Sequence, residues 1–174
     1  MTRRLLYRTP KFSPIAHYSF RDITDVTADF LAELGIKFLM LDLDNTIAAY
    51  DENVLSDSVT QWLEKIRSSG IELYIISNTT RKKRVESHCK PIGARFILQA
   101  CKPSPKSLLE AMKIAGFSSD VSALAGDQVF TDTLAANLAG VVSISVRPRR
   151  FTNPLLKLRY FIELPFRAMC KNKM

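Results

Sequence analysis

Asp42 and Asp44 stand two positions apart at the end of an apolar run, in the segment Lys37–Thr46 (KFLMLDLDNT). The run is short enough for a buried strand and is bounded by polar residues. Residues two apart on a strand point to the same face. Both carboxylates are therefore predicted to look into one crevice at the strand's carboxyl end, where open α/β sheets bind ligands. Two acids side by side repel each other, and an apolar neighbourhood raises that cost unless a cation or a chemical task compensates it. The pair reads as a metal site with acid–base work.

Further polar groups punctuate later strand ends. Ser77 and Asn78 follow the run IELYII, Lys102 sits in the loop after a short strand, and Asp127 and Asp132 lie in GDQVFTD. Each alone has an ordinary explanation as a turn residue, a helix cap or a solvated charge. Together they fall on the single edge of a parallel sheet that binding uses.

The elements that must position them read as follows. Asp22–Leu34 is predicted as a helix stopped by Gly35, and Ile36–Asp44 as the first strand. Ser56 or Asp57 caps a helix with Val59, Trp62, Leu63 and Ile66 at core spacing, ending at Gly70. Ile71–Ile76 is the second strand, and a basic helix runs from about Thr80 to Lys90. Arg95–Leu98 is a third strand, Ser104–Ala115 a helix with Pro105 early in it, and Val121–Ala125 a fourth strand. A helix over Thr131–Leu138 and a strand over Val141–Val146 complete the pattern. Strands alternating with helices specify an α/β fold with a doubly wound parallel sheet. The domain division expected is a basic arm over 1–20, a catalytic domain over 21–146, and a basic amphipathic tail over 147–174.

In this chain order the residues resemble the haloacid dehalogenase-like superfamily of phosphatases over about residues 20–146. DLDNT resembles the first motif, Ser77 the second, Lys102 the third and GDQVFTD the fourth. The resemblance implies that Asp42 is the nucleophile, and that Asp44 is the general acid/base with its main-chain carbonyl on Mg²⁺. It implies that Ser77 and Asn78 contact the phosphoryl group, that Lys102 neutralises it, and that Asp127 binds the metal. Thr46 and Asp132 are expected to support the site. A carboxylate nucleophile forms an acyl phosphate and so splits hydrolysis into two easier steps. Mg²⁺ prefers hard oxygen ligands, which carboxylates and a carbonyl supply. A two-component receiver domain has a similar inventory in a different chain order, and the order here favours the phosphatase.

Composition bounds the partners. The 174 residues are 47% hydrophobic and 24% charged, as in a globular chain of one domain. Three scattered cysteines, Cys89, Cys101 and Cys170, lack metal-ligand spacing and suit a reducing compartment. The basic start has no apolar core long enough for a secretory signal, so a cytoplasmic location is expected. The formal charge of +8 is uneven: residues 147–174 hold eight basic residues against Glu163. Such an end suits an anionic surface, lipid or nucleic acid. The tail is expected to form a helix from Thr152-Asn153-Pro154, kinked at Pro165, either packed on the sheet or lying on anionic lipid.

Only 34 residues separate Asp42 from Ser77, and 24 separate Ser77 from Lys102. Neither interval has room for a cap domain, so the site is expected to be open to a phosphate carried on something large. The layout resembles the uncapped, YqeG-type branch of the superfamily, and this implies phosphatidylglycerophosphate as substrate and peripheral contact with the inner face of the membrane. The alternatives are a phosphatase for a soluble sugar or nucleotide phosphate, and a non-catalytic module docking on membrane or RNA.

Overall fold

Seven strands form one parallel sheet in a computed structural model that describes residues 11–170 and 172–173. They are β1 (Tyr18–Phe20), β2 (Phe38–Leu41), β3 (Glu72–Ile76), β4 (Arg95–Ile97), β5 (Ser122–Gly126), β6 (Val142–Val146) and β7 (Asn172–Lys173). Their order is β4-β3-β2-β5-β6-β1-β7. The chain winds outward through β2, β3 and β4, then returns to place β5 on the other side of β2. This reversal opens a crevice between the carboxyl ends of β2 and β5, the position where such sheets bind ligands.

The unbroken apolar run of β2 follows from burial on both faces. Phe38, Leu39, Met40 and Leu41 are all fully buried. Leu39 and Leu41 pair in register with Leu73 and Ile75 of β3 and with Ala123 and Ala125 of β5. They pack in one core with residues of α1 (Ala28–Glu33), α2 (Asp57–Ser68) and α3 (Lys82–Ile92), including Leu31, Trp62, Leu63 and Val85. Phe38 and Met40 point the other way. They pack with Leu108 and Met112 of α4 (Lys106–Ala115) and with the alanines of α5 (Leu134–Ala139).

Three local differences from the sequence reading have physical causes. The segment 22–34 is split rather than one helix, because it holds two caps. Asp22 closes a capping box over the 3-10 turn Ile23–Asp25, and Thr27 then accepts from the Phe30 amide to start α1. The basic helix begins at Lys82 and runs through an exposed Pro91 to Gly93, whose left-handed φ of 59° ends it. The helix expected over 131–138 is a π-helical turn, Val129–Thr133, followed by α5.

Both chain ends reach into the fold further than the sequence reading placed them. Residues 1–10 of the expected arm lie outside the described residues. Beyond them, Asn137 donates to the carbonyls of Ser13 and Ile15, at 2.6 and 3.0 Å, and β1 pairs with β6. At the other end, α6 (Pro154–Ala168), capped by Asn153, turns Arg159, Glu163 and Arg167 inward. Arg167 is buried and donates to the Ser145 hydroxyl, the Val146 and Asp127 carbonyls, and Glu163 at 2.8 Å. Glu163, also buried, accepts from the Val129 amide at 3.0 Å.

Removing one member of a buried pair strands the other. Arg167→Met is therefore expected to cost about 3–5 kcal/mol in urea unfolding. An exposed change on the same helix, Leu158→Ser, should stay within about 0.5 kcal/mol. Equal costs for the two variants would mean that the helix is not held by this pair.

Candidate active site

Four adjacent strand ends, those of β4, β3, β2 and β5, supply the polar residues singled out by the sequence. Asp42 follows β2, Ser77 follows β3, Lys102 lies in the loop after β4, and Asp127 follows β5. A pocket of about 300 Å³ lies above them, lined by Asp42, Asp44, Ser77, Asn78 and Lys102, with Tyr50, Thr79, Arg81, Gln128 and Thr131 at its sides. Asp127 is not part of that lining. It is fully buried behind it.

Lys102 organises the floor. Its ammonium lies 2.7 Å from Asp42 Oδ1, 2.7 Å from Asp132 Oδ1 and 2.7 Å from the Ile76 carbonyl. It donates hydrogen bonds to Asp42 and to the Ile76 carbonyl, and it pairs with Asp132 by charge, since Asp132 Oδ1 has no hydrogen-bond partner. Lys102 therefore holds Asp42 in place and sets a positive charge among the acids of the floor. Its main chain is fixed as well: Asn78 accepts from the Lys102 amide at 2.9 Å and donates to its carbonyl at 3.1 Å. The Asn78 side chain, expected to contact substrate, is committed to positioning Lys102.

Thr46 ties the two sides of the crevice together. Its hydroxyl donates to Asp42 Oδ2 at 3.0 Å and accepts from the Asp127 amide at 3.0 Å. The turn that brings it there passes through Asn45 at a φ of 64°, a conformation asparagine tolerates better than most residues. Ser77 is buried and accepts from the Thr79 amide at 3.2 Å, which leaves its own proton to donate.

Oxygens of Asp42, Asp127 and Asp132 all lie within 4.8 Å of one another. Asp132 is occupied by Lys102 and by the Gln128 amide at 3.0 Å. Asp127 Oδ1 is buried with no hydrogen-bond partner. An orphaned carboxylate oxygen between other acids fits a hard divalent cation. The carboxylate of Asp44, by contrast, is held by Arg84 at 3.2 Å.

Burial pushes the Asp42 carboxyl up to about 7. Lys102 works against that rise, but the neighbouring Asp132 and Asp44 charges add to it. Asp127 is likewise raised well above the ordinary range, by burial first and then by Asp42 and Asp132. Burial alone would lower Lys102; the Asp132 and Asp42 carboxylates together outweigh it and raise the ammonium instead.

Three contributors were not singled out by the sequence reading. Arg84 falls within the basic helix expected over about 80–90, and Arg159 and Glu163 within the expected basic tail. Arg159 of α6 reaches Asp127 Oδ2 at 3.3 Å and so covers the Asp127 side of the floor. Its partner lies 32 positions away, a separation at which no local pattern reports a contact.

The chain matches the family described as haloacid dehalogenase-like hydrolase over residues 8–140. It is 31% identical over 128 residues to "Probable phosphatase YqeG" of Bacillus subtilis, covering 74% of each chain. Among solved structures it resembles 3-deoxy-D-manno-octulosonate 8-phosphate phosphatases. That from Yersinia pestis has a TM-score of 0.53 at 18% identity, over 77% of this chain and 73% of that one. That from Moraxella catarrhalis, in complex with magnesium, phosphate and its sugar, has a TM-score of 0.50 at 15% identity, over 82% and 94%. At these identities the structural likeness concerns the fold.

Two outcomes follow from the packed floor. A Cβ on Gly126 would lie 2.3 Å from the Asp132 carboxyl carbon. Gly126→Ala must push Asp132 off Lys102, so a stability loss of about 1–3 kcal/mol is expected, with weaker Mg²⁺ stabilisation in thermal unfolding. The second concerns pH. A carboxyl raised from 3.8 to about 7 in the folded state adds stability below its unfolded value, and that stability is lost as pH climbs through 7. Without metal, the thermal midpoint relative to Asp42→Asn should fall across this interval, and saturating Mg²⁺ should flatten the fall. A flat metal-free difference would contradict the burial of an uncompensated acid.

Proposed function

The chain belongs to the haloacid dehalogenase-like hydrolases and is a phosphatase with Mg²⁺ as its cofactor; we propose that it works through an aspartyl-phosphate on Asp42 and that its substrate is phosphatidylglycerophosphate at a membrane surface. The observation that carries the chemistry is the fixed Asp42 carboxylate. Lys102 and Thr46 hold its two oxygens, and it faces an open pocket with the carboxylates of Asp127 and Asp132 beside it.

In this reading an Asp42 oxygen attacks phosphorus and the ester P–O bond breaks. The leaving oxygen takes its proton from the Asp44 carboxyl. Ser77 donates to a phosphoryl oxygen, and the Lys102 charge beneath Asp42 offsets the repulsion between two anions. Water then attacks phosphorus and gives a proton to Asp44, and the P–O bond to Asp42 breaks to release phosphate. Asp42 and Asp127, with the main-chain carbonyl of Asp44, would hold Mg²⁺, which neutralises the non-bridging phosphoryl oxygens.

The substrate reading rests on the polarity of α6. Its charged residues Arg159, Glu163 and Arg167 point inward, while Leu155, Leu158, Phe161 and Ile162 are exposed, Leu155 to 73% and Phe161 to 65%. An amphipathic helix with its apolar face outward suits the interface of a bilayer. Of the eight basic residues in 147–174, Arg149, Arg159 and Arg167 are engaged internally and Arg150 pairs with Asp51 at the surface. Exposed Arg147 and Lys157 remain to meet anionic lipid, each worth about 1 kcal/mol near such a surface. Lys171 lies outside the described residues. No described helix is long and apolar enough to cross a membrane. No cap interrupts the approach to the pocket among the described residues, so a headgroup standing on a bilayer can reach it.

Purified protein should hydrolyse an aryl phosphate with Mg²⁺, and Asp42→Asn should lower kcat by at least about 10³-fold. Wild-type turnover by Asp42→Asn would remove the nucleophile assignment. In vesicles containing phosphatidylglycerophosphate, a Leu158→Glu/Phe161→Glu variant should lose binding and lipid phosphate release while keeping aryl phosphate turnover. Preference for a soluble sugar or nucleotide phosphate would overturn the lipid substrate. Binding of labelled RNA with steep salt dependence would point to the other anionic partner.

A further inference from the structure

We propose that Arg84, which lies outside the four sequence motifs, is a positioning residue for the Asp44 carboxylate and fixes it for proton transfer to the leaving group. The inference rests on the phosphatase reading of Asp42 and Asp44. Arg84 sits in the first turn of α3, just beyond the Ser77 loop. Its guanidinium reaches Asp44 Oδ1 twice, from Nη2 at 3.2 Å and from Nε at 3.4 Å. The same group donates to the Ala49 carbonyl at 2.7 Å and to the Glu52 carbonyl. Both side chains are largely shielded, Arg84 being 10% exposed and Asp44 15%.

This arrangement differs from a surface ion pair, in which two long side chains meet in water at little gain. Here the guanidinium is clamped by two backbone carbonyls of the loop between β2 and α2. The Glu52 carboxylate braces that loop by accepting from the Ala49 amide at 2.8 Å. The arginine cannot follow the aspartate if the aspartate turns. An unanchored carboxylate rotates over a broad range about its last torsion. With Oδ1 pinned, Oδ2 is left for the reacting oxygen in the pocket that Asp44 lines.

Local sequence supports a role beyond helix formation. Lys82, Lys83 and Arg84 fill the first turn of α3, which has no acidic residue. Cations there oppose the helix dipole, and such local conflicts concentrate at functional sites. The bond to Asp44 gives Arg84 a counter-charge from another element.

The test separates proton donation from general damage by varying the leaving group. An alkyl phosphate such as glycerol phosphate needs a proton on its departing oxygen, whereas 2,4-dinitrophenyl phosphate does not. kcat/KM covers the steps up to phosphorylation of Asp42, so it reports the donor step. Arg84→Gln is expected to lose about 10²-fold on the alkyl ester and less than about threefold on the dinitrophenyl ester. Asp44→Asn should show the same split. Arg84→Lys, which keeps the charge but not the planar fork, should recover only part of the loss. With the dinitrophenyl ester, Arg84→Gln should also give a burst of about one phenolate per site, because Asp44 is needed again to activate water.

Equal losses on both esters would show that Arg84 acts through the loop or on the phosphoryl group, and would overturn the proposal. So would unchanged kinetics on both. Thermal unfolding of each variant checks that the fold is retained, and Arg84→Lys keeps the test open if Arg84→Gln unfolds. If Asp44→Asn shows no split while Asp42→Asn is inactive, the assignment of Asp44 fails and Arg84 falls with it. If Asp42→Asn turns over normally, the phosphatase reading itself has failed.

Discussion

Three carboxylates with oxygens inside 4.8 Å of one another repel strongly in a buried site, and one ammonium makes the arrangement possible. Lys102 touches Asp42, Asp132 and the end of β3 at the same time. Its position is over-determined: the amide and carbonyl of its own main chain are clasped by Asn78. The close approach of Gly126 to Asp132 serves the same end, because any side chain at that position would separate the pair. The charges do not balance completely. Two acids raised by burial and an oxygen of Asp127 without a partner leave the floor short of positive charge, which a bound Mg²⁺ would supply.

The C-terminal helix inverts the usual arrangement of a surface helix, which buries its apolar stripe. Here Glu163 and Arg167 are inside with Leu156, bonded to the chain just past β5 and at the end of β6, and Leu155, Leu158, Phe161 and Ile162 are outside. The inward residues satisfy main-chain groups beside the site that would otherwise be orphaned by burial. Arg159 adds a guanidinium at Asp127. A helix that closes the rear of a catalytic floor while presenting leucine and phenylalanine outward joins the site to the surface proposed to meet lipid.

Much of the fold could be read along the chain because its signals are local. The β2 run is continuous because both faces are covered, and helix stops fall at glycines that adopt left-handed conformations, as at Gly93 and Gly116. The reading failed where two local signals competed. Asp22 and Thr27 each cap a turn, so one expected helix became two elements. Around Asp132 the apolar period could not distinguish a π-helical turn from an α-helix. β1 is three residues long, and it is held by pairing with β6 across more than a hundred positions.

The sequence by itself determined which groups are present and at which strand ends. A parallel sheet carries all its strand termini to one edge, so Asp42, Ser77, Lys102 and Asp127 had to assemble once the strands were recognised. Only the tertiary structure decided how each polar atom is used. It showed that Lys102 is shared between Asp42, Asp132 and the Ile76 carbonyl, that the Asn78 side chain holds Lys102, and that Asp44 is gripped by Arg84. It also turned the charged face of α6 inward, where composition suggested a freely basic tail. The physical reason is the same in each case. Periodicity and caps are set by neighbours within a few positions, whereas the partner of a buried charge is set by which distant atom the packing brings within 3 Å.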